Sequence, residues 1–404
     1  MVTLLPFAAL RPTPEQAARI CEPPYDVMSS DEARQIAADN PLSFLHVSKP
    51  EIDLPPGTDL HSPPVYARGK ENFDRLIRDG ALRQDAQPCF YLYRQVMGAH
   101  TQTGLVAAAS CDEYLNGVIK KHELTRPDKE DDRVHHMEAL NAQTGPVFLV
   151  HRAEKALDEF VARKTQEPPE VDFTALDGVQ HIAWTVSSRK QIDYLRNLFL
   201  QVPNLYIADG HHRCAAAARV SKARRGRGQS SRFLSVVFPH NQVQIQPYNR
   251  VLKDLNGMQP GHLLQKLGAY FMVQPNGDGK PTRKHELGLF LDGKWHNLFF
   301  RHEFITTNIL EQLDAALLQK HVLEPVFGIA DPRTSDRIGF VGGIRGTAEL
   351  EKLVRGGEYA CAFSMFPTDI EDLMAVADAD GLMPPKSTWF EPKLRDGMFS
   401  HLLG

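Results

Sequence analysis

An α/β fold built on a mixed sheet is predicted by three features of the sequence. Apolar runs of strand length alternate with amphipathic helical stretches along the whole chain. Residues 181–239 carry that alternation most tightly, as strand, helix, strand, helix and strand. Glycine and proline, 28 of each among 404 residues, punctuate the segments and set their turns. With 42% hydrophobic residues the chain can bury two or three compact cores.

Residues 1–150 are expected to form an N-terminal α/β region. LLPFAAL reads as a first strand, turned at Arg11-Pro12. DEARQIAAD is a short helix with Ser29 or Ser30 as its cap, entered in extended form through the prolines of PPYDV. VYARGKENFDRLIRDGAL has amphipathic helical spacing and is closed by Gly80. PCFYLYRQVM and TQTGLVAAAS pair as a hairpin. The region ends in a charged loop over residues 120–133, where Pro127 is expected to interrupt any helix.

Residues 151–250 are expected to hold the core. PVFLVHR leads in as a strand, ALDEFVARKT follows as a helix, and residues 165–179 read as a polar linker. HIAWTVSS, NLYIADG and RFLSVVFP are strands. RKQIDYLRNLFLQV and the alanine-rich HHRCAAAARVSKARRG are the helices between them. Residues 251–404 form a C-terminal α/β region. It includes an Asp-Gly hairpin in KHELGLFLDGKWHNLFF and a rigid docked tail at MPPKSTWFEPKLRDG.

Charge and cysteine usage narrow the function. A formal net charge of -4 gives no global basic excess, which argues against a nucleic-acid partner. Cys21, Cys89, Cys111, Cys214 and Cys361 are widely spaced and make no CxxC, so reduced thiols are expected rather than disulfides or a cysteine zinc site. The start MVTLLPFAALRP lacks the form of a secretory signal, and no apolar run has membrane-spanning length. A cytoplasmic protein without a membrane partner is the resulting expectation.

The densest chemistry lies in YIADGHHRCAAAARV. A short strand runs into Asp209 and Gly210, and His211, His212 and Arg213 open a helix. The first turn of a helix offers backbone N–H groups to an anion. Gly210 admits close backbone approach, and Arg213 can grip a phosphate in bidentate fashion. The histidines can shuttle a proton, and Asp209 can orient one of them. In KKHELTRPDKEDDR, Lys121 and Arg126 are candidate phosphate cations. His122 and Glu123 can act together as a base, or Glu123 can activate a hydroxyl alone. Asp128 and Asp131 are candidate Mg²⁺ ligands. Tyr25, Asp26 and His46 are candidate substrate contacts, and Lys393 and Arg395 can reach an anion from the tail. GxxxxGK[ST], GxGxxG and GxSxG are all absent, which argues against a standard P-loop enzyme or Rossmann dehydrogenase and leaves no nucleophile elbow to support a serine hydrolase.

Several long strings, PPYDV, NPLSFLHV, KKHELTRPDKEDDR, ADGHHR and MPPKSTWFEPKLRDG, together resemble the DUF1015 family of uncharacterised proteins over nearly the whole chain. The DGHHR turn is similar to the phosphate-binding turn of the ParB/sulfiredoxin-like superfamily. That group includes partition nucleotide-binding proteins, sulfiredoxin and free serine kinases. The resemblance implies a ParB/sulfiredoxin-like core with additional α/β regions, and nucleotide phosphates facing Gly210, His211, His212 and Arg213. Sulfiredoxin needs a cysteine in the turn, where this chain has His211, and no helix-turn-helix region of the partition proteins stands out. The expected activity is therefore a nucleotide-dependent kinase. It would use ATP or ADP with Mg²⁺ on a small hydroxylated metabolite, with free L-serine suggested by the superfamily likeness alone. A nucleotide-binding regulatory protein, and a phosphatase or nuclease, are the alternatives.

Overall fold

The computed structural model describes every residue from Met1 to Gly404. The chain forms two compact units, Met1–Val243 with Pro392–Gly404, and Gln244–Glu391.

An eight-stranded mixed sheet organises the first unit. Its order is Ile119–Lys120, Leu205–Asp209, Val147–His151, Arg232–Pro239, His100–Ser110, Phe90–Met97, Gln180–Val186 and Val171–Thr174. Ile119–Lys120 runs parallel to Leu205–Asp209, and Val147–His151 parallel to Arg232–Pro239; the other neighbours are antiparallel. The expected hairpin is present, with Met97 opposite His100 and Gly98 at φ +59° in its turn. Within that hairpin Gly104 faces Val236 so closely that a Cβ would come within 2.7 Å of its Cγ1.

The helix His211–Arg224 lies on this sheet through Cys214, Ala215, Ala216, Ala217, Ala218 and Val220, all buried. Small side chains let a helix approach a sheet closely, so the alanine run fixes where the helix start sits. The helix Pro127–Leu140 corrects the reading of the charged segment. Pro127 does not interrupt it but opens it, at a first-turn position where no N–H is needed. Two further expectations shift. LLPFAAL makes only isolated bridges at Leu5 and Phe7 before the short strand Leu10–Pro12. The linker 165–179 contains the edge strand Val171–Thr174.

The second unit carries a six-stranded antiparallel sheet. Its order is Phe271–Pro275, Lys294–Phe300, Glu286–Leu291, Cys361–Met365, Tyr248–Leu252 and Ile338–Gly342. Asp292 and Gly293 join two of these strands with φ of +48° and +72°, the left-handed pair that a two-residue hairpin favours. A short strand Trp389–Glu391 pairs with Gln244–Gln246. The tail expected over residues 383–397 is therefore divided: Trp389 packs on Tyr248 in this unit, while Pro392 onward belongs to the first. The sequence boundaries at 150 and 250 fall inside the strands Val147–His151 and Tyr248–Leu252.

All five cysteines are free and buried. No helix is long and apolar enough to cross a membrane.

Candidate functional site

The site starts from a strand that ends on a charge. Leu205–Asp209 buries its first four residues and leaves Asp209 half-buried at its end. Gly210 follows at φ +100°, a conformation that costs a residue with a side chain, and the helix begins at His211 with no side chain capping it. The charged segment of residues 120–126 lies against this start. The His122 N–H donates to His211 Nε2 at 3.5 Å, and the two rings meet edge to face at 4.5 Å. The Arg126 N–H donates to His212 Nε2 at 3.1 Å. Donor atoms of His122, Glu123 and His211 lie within 4.8 Å of one another. Residues 120–126 and 208–213 thus meet at the helix start.

From the C-terminal tail, Lys393 reaches Asp209, with Nζ 3.0 Å from Oδ2. The tail is held by Gln95, which donates to the Lys393 carbonyl at 2.8 Å, and by Arg395, which donates to His181 Nε2 at 3.0 Å and pairs with Asp177. Asp396 is 1% exposed. It shares a small cavity with Tyr25, Arg133, His136, Gly145 and Arg213, of about 20 Å³, room for a single water.

Arg213 departs from the expected open clamp. It is 5% exposed and donates to the Pro146 carbonyl, with Asp209 at 3.7 Å. Burial works to lower its pKa, but Asp209, Asp26 and Tyr25 more than offset that and hold it raised. Asp209 carries the reciprocal effect: burial acts to raise its pKa, and Lys393 and Arg213 bring it far below the usual carboxylate range. The guanidinium therefore fixes the turn from beneath. Burial lowers His122 to about 4 and takes His211 well below its ordinary value, so both rings are neutral at pH 7.

The remaining expected residues are distributed as follows. Tyr25 lies under the Arg133 guanidinium at 3.8 Å, and the exposed Asp26 acts electrostatically on Arg213 and Asp396. His46 is tied elsewhere, to Asp53 at 2.7 Å and to the Asn40 carbonyl at 3.2 Å. Lys121 is exposed and lies over the Tyr114 ring. The expected Mg²⁺ carboxylates are both taken by arginines, Asp128 by Arg126 at 2.9 Å and Asp131 by Arg219 at 2.6 Å. The chain assembles its group of metal-ligand types at His122, Glu123 and His211 instead. Asp396 is a site residue that sequence reading missed. It lies far along the chain from the turn, and the bridge of Glu22 to Asp396, with the contacts of Lys393 and Arg395 beside it, brings it in.

Asp396 gives a pH prediction. Burial raises its pKa from 3.8 to about 7, against the lowering pull of Arg213. Folding therefore favours the protonated carboxyl, so stability present below pH 4 is lost as pH rises through 7. Asp396→Asn keeps the shape and removes that loss. Its unfolding midpoint is expected to gain on the parent between pH 4 and 8, by an amount on the order of 2–4 kcal/mol in stability. Parallel pH profiles for the two proteins would contradict this.

The chain belongs to the family described as "Protein of unknown function (DUF1015)", which matches residues 4–316. No curated protein matches it. Among solved structures it is similar to a conserved hypothetical protein from Pyrococcus furiosus, at 14% identity and a TM-score of 0.38, over 74% of this chain and 95% of that one. It is also similar to a free serine kinase in complex with AMP, at 14% identity and a TM-score of 0.37, over 71% and 86% of the two chains. SbnI from Staphylococcus aureus, with a C-terminal truncation, is similar at 11% identity and a TM-score of 0.39, over 72% and 85%.

Proposed function

We propose that this protein is a nucleotide-dependent phosphotransferase for a small hydroxylated metabolite, with the nucleotide phosphates at Gly210–Arg213. The observation that carries this reading is the helix start itself. A 14-residue helix opens without a side-chain cap behind a left-handed glycine, with two histidines in its first turn and Lys393 beside it. A helix N-terminus of this kind favours an anion through its backbone N–H groups and dipole. Lys393, at Asp209, and Lys121 and Arg126 from the charged segment are the cations we assign to the phosphates. Arg213 preorganises the turn through Asp209 and Pro146.

Phosphoryl transfer needs positive charge around the phosphates and an oriented hydroxyl. Glu123, half-buried next to His211, is the group we assign to orient and deprotonate that hydroxyl. Tyr25, which lines a cavity with Arg213, and Asp26, which acts electrostatically on Arg213, are assigned to the acceptor. Such a transfer uses Mg²⁺ held chiefly by the nucleotide's own phosphates. Free L-serine enters as the first acceptor to try, on the strength of the DGHHR resemblance.

The test incubates the protein with ATP or ADP, Mg²⁺ and a panel of hydroxylated amino acids, and looks for phosphorylated product by mass. Product is expected with at least one acceptor. Glu123→Gln should lower turnover by a factor on the order of 10²–10⁴ while nucleotide affinity stays nearly constant. Tight nucleotide binding with no product from any acceptor would replace this reading with the regulatory one.

A further inference from the structure

We propose that His122, Glu123 and His211 form a binding site for a divalent transition-metal ion such as Zn²⁺. Donor atoms of the three lie within 4.8 Å of one another. An ion with bonds of about 2.1 Å sets adjacent donors roughly 3.0–3.5 Å apart and opposite ones about 4.2 Å apart. Side-chain adjustments of an ångström or so reach that geometry, with the His211 Nε2 lone pair exchanging its long 3.5 Å contact with the His122 N–H for the ion.

A second observation is independent of this spacing. His122 is 2% exposed, and its Nδ1 has no hydrogen-bond partner. The Ile207 backbone favours a proton on this ring. In the tautomer protonated on Nε2, the unpartnered Nδ1 keeps a lone pair. Metal-bound imidazoles are commonly oriented in this way, with the non-ligating N–H given to a carbonyl. A buried lone pair with no donor is otherwise unfavourable, and a cation satisfies it.

The donor set selects the kind of ion. Two imidazoles and one carboxylate suit Zn²⁺, Co²⁺ or Fe²⁺, whereas Mg²⁺ and Ca²⁺ take oxygen ligands. Three protein ligands leave at least one coordination position, as in sites that hold a water or an exogenous oxygen. Glu123 is half-buried, so this position has a route to solvent. The neighbouring first turn of the helix His211–Arg224 places the site beside the proposed phosphates, but the metal site stands whether or not a nucleotide binds there. A monodentate Glu123 gives the ion one carboxylate oxygen and leaves the other for the acceptor hydroxyl.

The test uses the full chain, stripped with a chelator and titrated with Co²⁺ in the absence of nucleotide and acceptor. Visible d–d absorption saturating at one ion per chain is expected, with Zn²⁺ displacing it and Mg²⁺ in excess leaving it unchanged. Because the histidines are buried, Glu123→Gln is the decisive variant: it keeps the shape and should weaken Co²⁺ binding at least about tenfold. Asp128→Asn and Asp131→Asn should bind Co²⁺ as the parent does. No Co²⁺ spectrum in the parent, or unchanged affinity in Glu123→Gln, would overturn the site. A failure to bind nucleotides would leave the Co²⁺ result standing, so the two readings fail separately.

Discussion

Arg213→Ala is expected to lose about 3–5 kcal/mol of folding stability, measured by urea unfolding. The guanidinium is 5% exposed and is the buried positive charge that Asp209, Asp26 and Asp396 share. Removing one member of a buried charge group costs more than the group contributes, because the others stay desolvated. The Pro146 carbonyl also loses its donor, and the side-chain volume leaves a gap next to the cavity lined by Asp396. Asp209 retains Lys393, so its neighbourhood is only partly uncompensated. Arg213→Lys keeps the charge without the planar fork and should fall between the parent and Ala. A loss under about 1 kcal/mol for Arg213→Ala would show that the guanidinium does not hold the turn.

Acid should unfold the first unit well before its carboxylates are neutralised. His136, His151 and His401 are buried in neutral form, each donating to a backbone carbonyl or lying against one, at Val47, Arg152 and Gln229. Burial brings each of the three down to about 4 from an ordinary 6.5. For a base whose folded pKa is depressed, stability is present above pH 6.5 and is lost as pH falls through 4. Each group contributes on the order of 1–3 kcal/mol over that window. Asp396 acts in the opposite direction between pH 7 and 4, but it is one group against several. The urea midpoint should therefore fall steeply below pH 6, and His401→Gln should flatten part of the fall. A midpoint constant down to pH 4.5 would contradict this.

The strand-to-helix turn was legible because its signals are local. An apolar strand, a glycine and an alanine-rich helix are each decided within a few residues, and the structure puts Leu205–Asp209, Gly210 and His211–Arg224 in that order. The Asp292-Gly293 hairpin was legible for the same reason. Pro127 was misread because a proline stops a helix in its interior and starts one in its first turn, and the charged run around it hides which applies. Val171–Thr174 was hidden by being an edge strand, whose exposed polar residues resemble a linker. The site's long-range part was not legible. Nothing near Asp396 or Lys393 in sequence announces Arg213 or Asp209, since their meeting depends on a tail returning to the first unit. The orientation of Arg213 was equally hidden: a guanidinium beside a phosphate turn reads as a clamp until Pro146 and Asp209 are seen to occupy it.

Calorimetric titration of the protein with adenosine, AMP, ADP and ATP tests the phosphate turn most directly. If the first turn of the helix His211–Arg224 holds phosphates, adenosine should bind weakly or not at all, and affinity should rise as phosphates are added. The gain should shrink with salt, as charge-assisted contacts do. Gly210→Ala, which strains a backbone at φ +100° and brings a Cβ within 3.0 Å of Arg213 Nε, should reduce the phosphate-dependent part alone. Adenosine binding as tightly as ADP, or no binding by any of the four, would contradict the account.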